Sequence, residues 1–127
     1  MGAEEPSHEV LAEGSSSPMP CLPEYQSANV SGIIPAFLGG APIPKWVPEI
    51  AASASAVVLV VLDGLGSKQL AERQELTPNL SSLVGGPITT VAPSTTATAL
   101  TSIATGLTPA EHGVLGYRML MRGSVTN

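Results

Sequence analysis

Two residues of this 127-residue sequence stand where a side chain could do chemistry, Asp63 and Thr96. Asp63, the only aspartate, follows a continuous apolar run at residues 57–62 and is followed by Gly64 and Gly66. Ligands of open α/β sheets gather at the carboxyl ends of strands, so a carboxylate at this place could hold a hard cation. The alternative is a turn aspartate whose side chain caps the next helix.

Thr96 follows a proline-containing turn and begins a predicted helix over residues 96–105. Free backbone N–H groups and the helix dipole favour a phosphate at such a position. A threonine hydroxyl is a poor nucleophile unless a base or a metal ion lowers its pKa, which Asp63 with a metal could do. The alternative is that Ser94, Thr95 and Thr96 are N-cap residues competing for one role.

Three other features carry weaker signals. Gly64 and Gly66 lack the third glycine of a dinucleotide-binding loop, so nicotinamide or flavin binding is a distant alternative. His112, in a glycine-flanked loop, is more typical of a structural hydrogen-bonding residue than of a metal ligand. Cys21 has no basic or histidine neighbour to activate its thiol, and we assign it no role.

The elements that must position these residues alternate between strand and helix. The β-branched run at 57–62 is typical of a strand buried on both faces of a parallel sheet. Helical segments are predicted over 67–75, 78–84 and 96–105, with Gly106 as the last C-cap, and a second strand over 88–91. This order predicts an α/β layered fold.

Composition divides the chain into three parts. Residues 1–30 are rich in Pro, Ser and Glu and predict a disordered tail. Residues 31–55 form a Pro-rich lead-in with one helical turn around 35–38, and residues 56–127 carry the predicted α/β domain. No signal peptide is visible, and the longest apolar stretch is too short to span a membrane, so we expect a soluble, cytoplasmic chain.

Charge and cysteine content exclude several classes of partner. The net charge is −5 and only five residues are basic, which argues against binding to a nucleic-acid backbone. The single cysteine excludes an internal disulfide framework and a cysteine-only zinc site. The oligomeric state cannot be predicted from these features.

Four motifs in order resemble the alkaline-phosphatase superfamily, and within it the type I phosphodiesterase/nucleotide pyrophosphatase family. They are VLVVLDG at 58–64, TPNL at 77–80, PSTT at 93–96 and SIATGLTPAEHG at 102–113. The resemblance implies part of an α/β three-layer sandwich with a mostly parallel central sheet. It also implies a hydrolase of phosphodiester or pyrophosphate bonds whose substrate is a small phosphate ester or nucleotide.

The resemblance also assigns roles to residues of this chain. Asp63 would bind one of two divalent metal ions, Zn²⁺ in the family, and Thr96 would bind the same ion and act as the nucleophile. The backbone N–H of Ala97 would help to hold a phosphoryl oxygen. The family's other ligands, two Asp and three His, come from further along the chain than Asn127. We therefore expect an N-terminal part of the enzyme that is inactive when isolated.

One departure from the family pattern keeps other functions open. Ala99 stands where nucleotide pyrophosphatases usually have a phosphate-binding asparagine. The preference between phosphodiester and phosphomonoester substrates is therefore undecided. Phosphomonoesterase, sulfatase or phosphonate-hydrolase activity within the same superfamily is one alternative. A non-catalytic remnant that acts as a binding or scaffold protein is the other.

Overall fold

Short helices joined by loops make up most of the described chain. The computed structural model describes residues 21–40, 42–117, 119–121 and 124–126. The helices are α1 (Ile33–Leu38), α2 (Glu49–Ala52), α3 (Ser67–Glu72), α4 (Pro78–Ser81), α5 (Thr96–Thr105) and α6 (Pro109–His112), and a 3-10 helix, Val30–Gly32, precedes α1. Strands β1 (Met119–Met121) and β2 (Ser124–Thr126) pair antiparallel. Within these ranges the helices are too short to cross a membrane.

Helix α5 lies where the sequence predicts it, from Thr96 to Thr105. It begins there because the extended Thr95 accepts a hydrogen bond on its side chain from the Thr98 N–H. It ends because Gly106, with φ of 73°, adopts the left-handed conformation that favours glycine. A Cβ at Gly106 would also lie 2.5 Å from Pro35 Cγ, so close packing against α1 requires glycine as well.

The other predicted helical segments are present with different bounds. Helix α3 covers only the first part of the predicted segment 67–75, and α4 covers only the start of 78–84. Helix α1 contains the turn predicted around 35–38 and begins two residues earlier. Most of the predicted disordered tail, residues 1–20, lies outside the described residues.

The predicted mostly parallel central sheet, and with it the three-layer α/β sandwich, is wrong for the described residues. Residues 57–62 belong to no strand. Their side chains are exposed, from 43% at Leu59 to 86% at Val58. The prediction rested on the apolar pattern and on the family resemblance, whereas a buried strand needs neighbouring strands on its edges. No described segment pairs with residues 57–62, and the described sheet is the two-stranded β1–β2 pair.

Parallel pairing among the described residues is limited to one bridge, between Asn29 and Thr89. The predicted strand over 88–91 is reduced to this bridge, which is flanked by backbone hydrogen bonds of 3.0 and 2.8 Å. The fully buried Asn29 amide donates to Thr89 Oγ1 at 2.9 Å and to Thr90 O at 3.0 Å. The side-chain hydrogen bonds of Asn29 therefore hold these two segments together, as a longer ladder of backbone hydrogen bonds would do in a sheet.

The contrast between Val91, 1% exposed, and Val58, 86% exposed, gives a test of this fold. We expect Val91→Ala to lower the free energy of unfolding by about 2 kcal/mol, because it removes buried methyl groups and leaves a cavity. The matched control Val58→Ala removes the same groups from solvent and is expected to cost less than about 0.5 kcal/mol. Urea unfolding of both variants measures the difference. Equal costs would mean that residues 57–62 are buried after all.

Candidate active site

Asp63 lies in the turn that follows the apolar segment 57–62. The Leu65 N–H donates to Leu62 O at 3.2 Å, and Gly64 has φ of 76°, a conformation that glycine allows at low cost. The turn leaves the Asp63 carboxylate exposed. Asp63 does not cap the next helix, since Gly66 is the N-cap of α3 and no side chain caps it. Asp63 is thus a turn residue, as the alternative supposed, but its carboxylate does not make the capping bond.

Thr96, the first residue of α5, is brought directly to this carboxylate. Its Oγ1 donates a hydrogen bond of 2.8 Å to Asp63 Oδ2, across 33 residues of sequence. Both side chains are exposed, so a molecule in solution can reach the pair. The structure thus brings together the two residues that the sequence singled out for chemistry.

The three neighbouring hydroxyl residues do not compete for the N-cap of α5. Thr95 fills that position, and its hydroxyl also lies 2.8 Å from the Thr98 hydroxyl. Thr96 is therefore not needed as a cap, which leaves its hydroxyl for Asp63. Ala97, the next residue, is half-buried, and its backbone N–H lies in the first helical turn, where no helical acceptor exists.

The described residues do not by themselves form a metal centre. Among them, no group of three or more His, Cys, Asp or Glu side chains is placed to hold an ion. The oxygens of Asp63 and Thr96 are donors that suit a hard or borderline cation, but a zinc centre takes at least three protein ligands. The pair therefore fits as part of a ligand set.

His112 is a structural hydrogen-bonding residue, as the sequence indicates. Its Nδ1 accepts from the Val114 N–H at 3.0 Å, and its Nε2 lies 2.9 Å from the Ser102 hydroxyl. Sequence reasoning missed Ser102, which is fully buried. The signal that could have found it is the four-residue spacing of Thr98 and Ser102, which puts two hydroxyls on one face of α5.

Helix α6 is tied at its start by Glu111. The Glu111 carboxylate oxygen Oε2 accepts from the Thr108 N–H and from the Thr108 hydroxyl, both at 2.7 Å. These bonds, the backbone one first, lower the pKa of Glu111 from its ordinary value of 4.5, because they stabilise the ionised form. The carboxylate thus holds the turn that carries His112.

Comparison with known families agrees with the motifs. The family model described as Type I phosphodiesterase / nucleotide pyrophosphatase matches residues 57–126. Since that segment is more than half of the sequence, the chain belongs to this family of phosphodiesterase-type hydrolases, and the resemblance is confirmed. Searches of curated proteins and of solved structures gave no match.

Acid titration tests the capping role of Glu111. Because its folded pKa lies below 4.5, the cap stabilises α6 above that pH and is lost as the pH falls through the lowered pKa. Carboxyl ¹³C NMR is expected to show Glu111 titrating below 4.5. Thr108→Ala removes the hydroxyl donor, so the pKa should rise only part of the way, since the backbone N–H remains.

The matched control for this titration is Thr105→Ala, whose hydroxyl bonds to Thr101 O instead. It should leave the Glu111 titration unchanged. A Glu111 midpoint at or above 4.5 in the unsubstituted chain would contradict the capping bonds.

Proposed function

We propose that this chain carries the nucleophile and one metal ligand of a metal-dependent phosphodiesterase or nucleotide pyrophosphatase. The observation that supports the proposal most directly is the 2.8 Å hydrogen bond between Thr96 Oγ1 and Asp63 Oδ2. Family membership supplies the class of reaction, and the pair supplies a hydroxyl and a carboxylate at one exposed point.

In this proposal Thr96 attacks and Asp63 orients it. The hydroxyl gives its proton to solvent water, Oγ1 forms a bond to phosphorus, and the bond from phosphorus to the leaving oxygen breaks. The leaving group departs with the bonding electron pair and takes up a proton from water. A threonyl-phosphate or threonyl-nucleotide results, and water then hydrolyses it. Asp63 holds Oγ1 in place before the attack, and its second oxygen remains available for a cation.

Two divalent metal ions, Zn²⁺ by resemblance to the family, would lower the pKa of the hydroxyl and offset charge on the phosphoryl oxygens when bound. Asp63 and Thr96 would hold one of them together. From the resemblance to the family, we propose that the other ligands, two Asp and three His, are residues outside this sequence.

Ala97 has a role in the proposal through its backbone. Its N–H is in the first turn of α5, at the positive end of the helix dipole, where a phosphoryl oxygen is stabilised. A small side chain next to the nucleophile also leaves room for the phosphoryl group. Ala99, half-buried one turn into the helix, offers no side-chain donor of its own.

Substitution of Thr96 in the complete gene product tests the nucleophile. We expect Thr96→Ala to lower hydrolysis of bis(p-nitrophenyl) phosphate in zinc buffer by a factor of at least about a thousand, because no hydroxyl remains to attack. Thr96→Ser keeps the hydroxyl and should retain measurable activity. Full activity of Thr96→Ala would refute the proposal, and faster release from p-nitrophenyl phosphate would favour a monoesterase.

The Asp63→Asn substitution distinguishes two roles of Asp63, the orientation of the Thr96 hydroxyl and the supply of a negative charge. The amide oxygen can still accept from the Thr96 hydroxyl, but the negative charge that attracts a cation is gone. We expect activity to fall and to recover partly at high zinc concentration. Activity that is equally low at every zinc concentration would mean that Asp63 is needed for something other than metal affinity.

The 127-residue chain alone is expected to be inactive, because Asp63 and Thr96 are too few ligands to retain a catalytic ion. The measurement is hydrolysis of the same diester in zinc buffer, compared with the isolated Thr96→Ala chain as background. Turnover above that background would contradict the expectation of outside ligands, although the nucleophile assignment would stand.

A further inference from the structure

The Ser102 hydroxyl of α5 also contacts the His112 imidazole of α6. Ser102 is fully buried, and His112 Nε2 lies 2.9 Å from its Oγ. On the far side of the ring, Nδ1 accepts from the Val114 N–H. A neutral imidazole carries one N–H, and Nδ1 is occupied as an acceptor. The proton is therefore on Nε2, and it donates to Ser102.

This tautomer excludes a nucleophile–base pair. A histidine that activates a serine must face the hydroxyl with an unprotonated nitrogen, whereas here the N–H faces it. Ser102 also has no exposed surface at which a substrate could arrive. The contact between Ser102 and His112 therefore serves to hold two segments of the chain together.

Helix α6 provides a fixed support for His112. The Glu111 bonds to Thr108 tie its first turn, and Gly113, with φ of 73°, ends it directly after His112. The imidazole thus projects from a short helix that is held at both ends. Its hydrogen bond to Ser102 ties that support to α5.

A movement of Ser102 also moves Thr96, the first residue of α5, because both residues belong to one helix. Ser102 and Thr96 are six residues apart in one continuous helix, which corresponds to about 9 Å along a nearly rigid rod. A slide or rotation of α5 at Ser102 therefore moves Thr96 Oγ1 relative to Asp63, which lies on a separate loop.

We propose that Ser102 and His112 are positioning residues: their hydrogen bond fixes α5 so that the Thr96 hydroxyl stays on the Asp63 carboxylate. The importance of that placement for catalysis rests on the proposed function. The placement itself is a property of the folded chain and can be measured without metal or substrate.

The experiment measures how well the chain holds positions 63 and 96 together. In a Cys21→Ser background, Asp63→Cys and Thr96→Cys place two thiols where the hydrogen-bonded groups lie. Their effective concentration, measured as disulfide formation in a glutathione buffer, reports their proximity in the folded state. The same protein in concentrated urea gives the value without structure.

Matched variants of His112 separate its two nitrogens. His112→Asn keeps an acceptor near the Nδ1 position but cannot reach Ser102, whereas His112→Gln keeps a donor near the Nε2 position. We expect His112→Asn and Ser102→Ala to lower the effective concentration about fivefold, the effect of losing one hydrogen bond. His112→Gln should stay within about twofold of the starting protein.

A purely structural contact would give a different result. It would lower the thermal midpoint in these variants but leave the effective concentration in the folded state unchanged, and that outcome would overturn the proposal. The proposal would also be overturned if His112→Gln lowered the effective concentration as much as His112→Asn does.

Imidazole ¹⁵N NMR of the unsubstituted chain gives a second readout that does not depend on any variant folding. The Nε2–H tautomer is expected, and the Nδ1–H tautomer would refute the positioning contact. None of these measurements uses hydrolysis, so a failed activity assay and a failed positioning test are distinguishable.

Discussion

The hydrogen bond between the Thr98 N–H and the Thr95 side chain decides where α5 begins, and the candidate site depends on that start. With Thr95 outside the helix as its cap, Thr96 becomes the first helical residue and projects toward Asp63. A start one residue later would make Thr96 the cap and turn its hydroxyl back onto the helix. One local cap therefore determines which of three adjacent hydroxyls is available for chemistry.

Hydrogen bonds between polar groups hold much of the described core together. Its buried hydrophobic side chains are Ala36, Val47 and Val91, while Asn29, Ser31, Thr98 and Ser102 are buried polar residues. Each buried side-chain oxygen and nitrogen in the described part of the chain has a hydrogen-bond partner. A buried polar group that has a hydrogen-bond partner adds little net stability. Removing that partner, however, costs the full free energy of desolvating the group. Such a core favours one specific arrangement over a merely compact one.

Local features of the sequence were sufficient to predict α5 and its bounds. The cap candidates, the helical spacing and Gly106 all act within a few residues, so a sequence pattern captures them. The meeting of Asp63 with Thr96 followed from the resemblance, since composition and periodicity do not fix a contact across 33 residues.

The failures concern interactions that a pattern cannot contain. An apolar run such as 57–62 becomes a strand only if other strands pair with it, and its own residues say nothing about them. The inward face of α5 carries Thr98 and Ser102, whereas the apolar Leu100 is 43% exposed. Hydroxyls were buried because His112 and Thr95 offered partners, which hydrophobic periodicity does not register.

The contacts of Asn29 have a consequence for the order of events during synthesis. Its amide bonds to acceptors that lie 60 and 61 residues later in the chain. At ordinary rates of translation, the ribosome makes the intervening residues in roughly 3–12 s. Throughout that interval the segment around Asn29 must remain hydrated, because its asparagine has no acceptor yet. That segment can reach its buried arrangement only after Thr89 and Thr90 have been made.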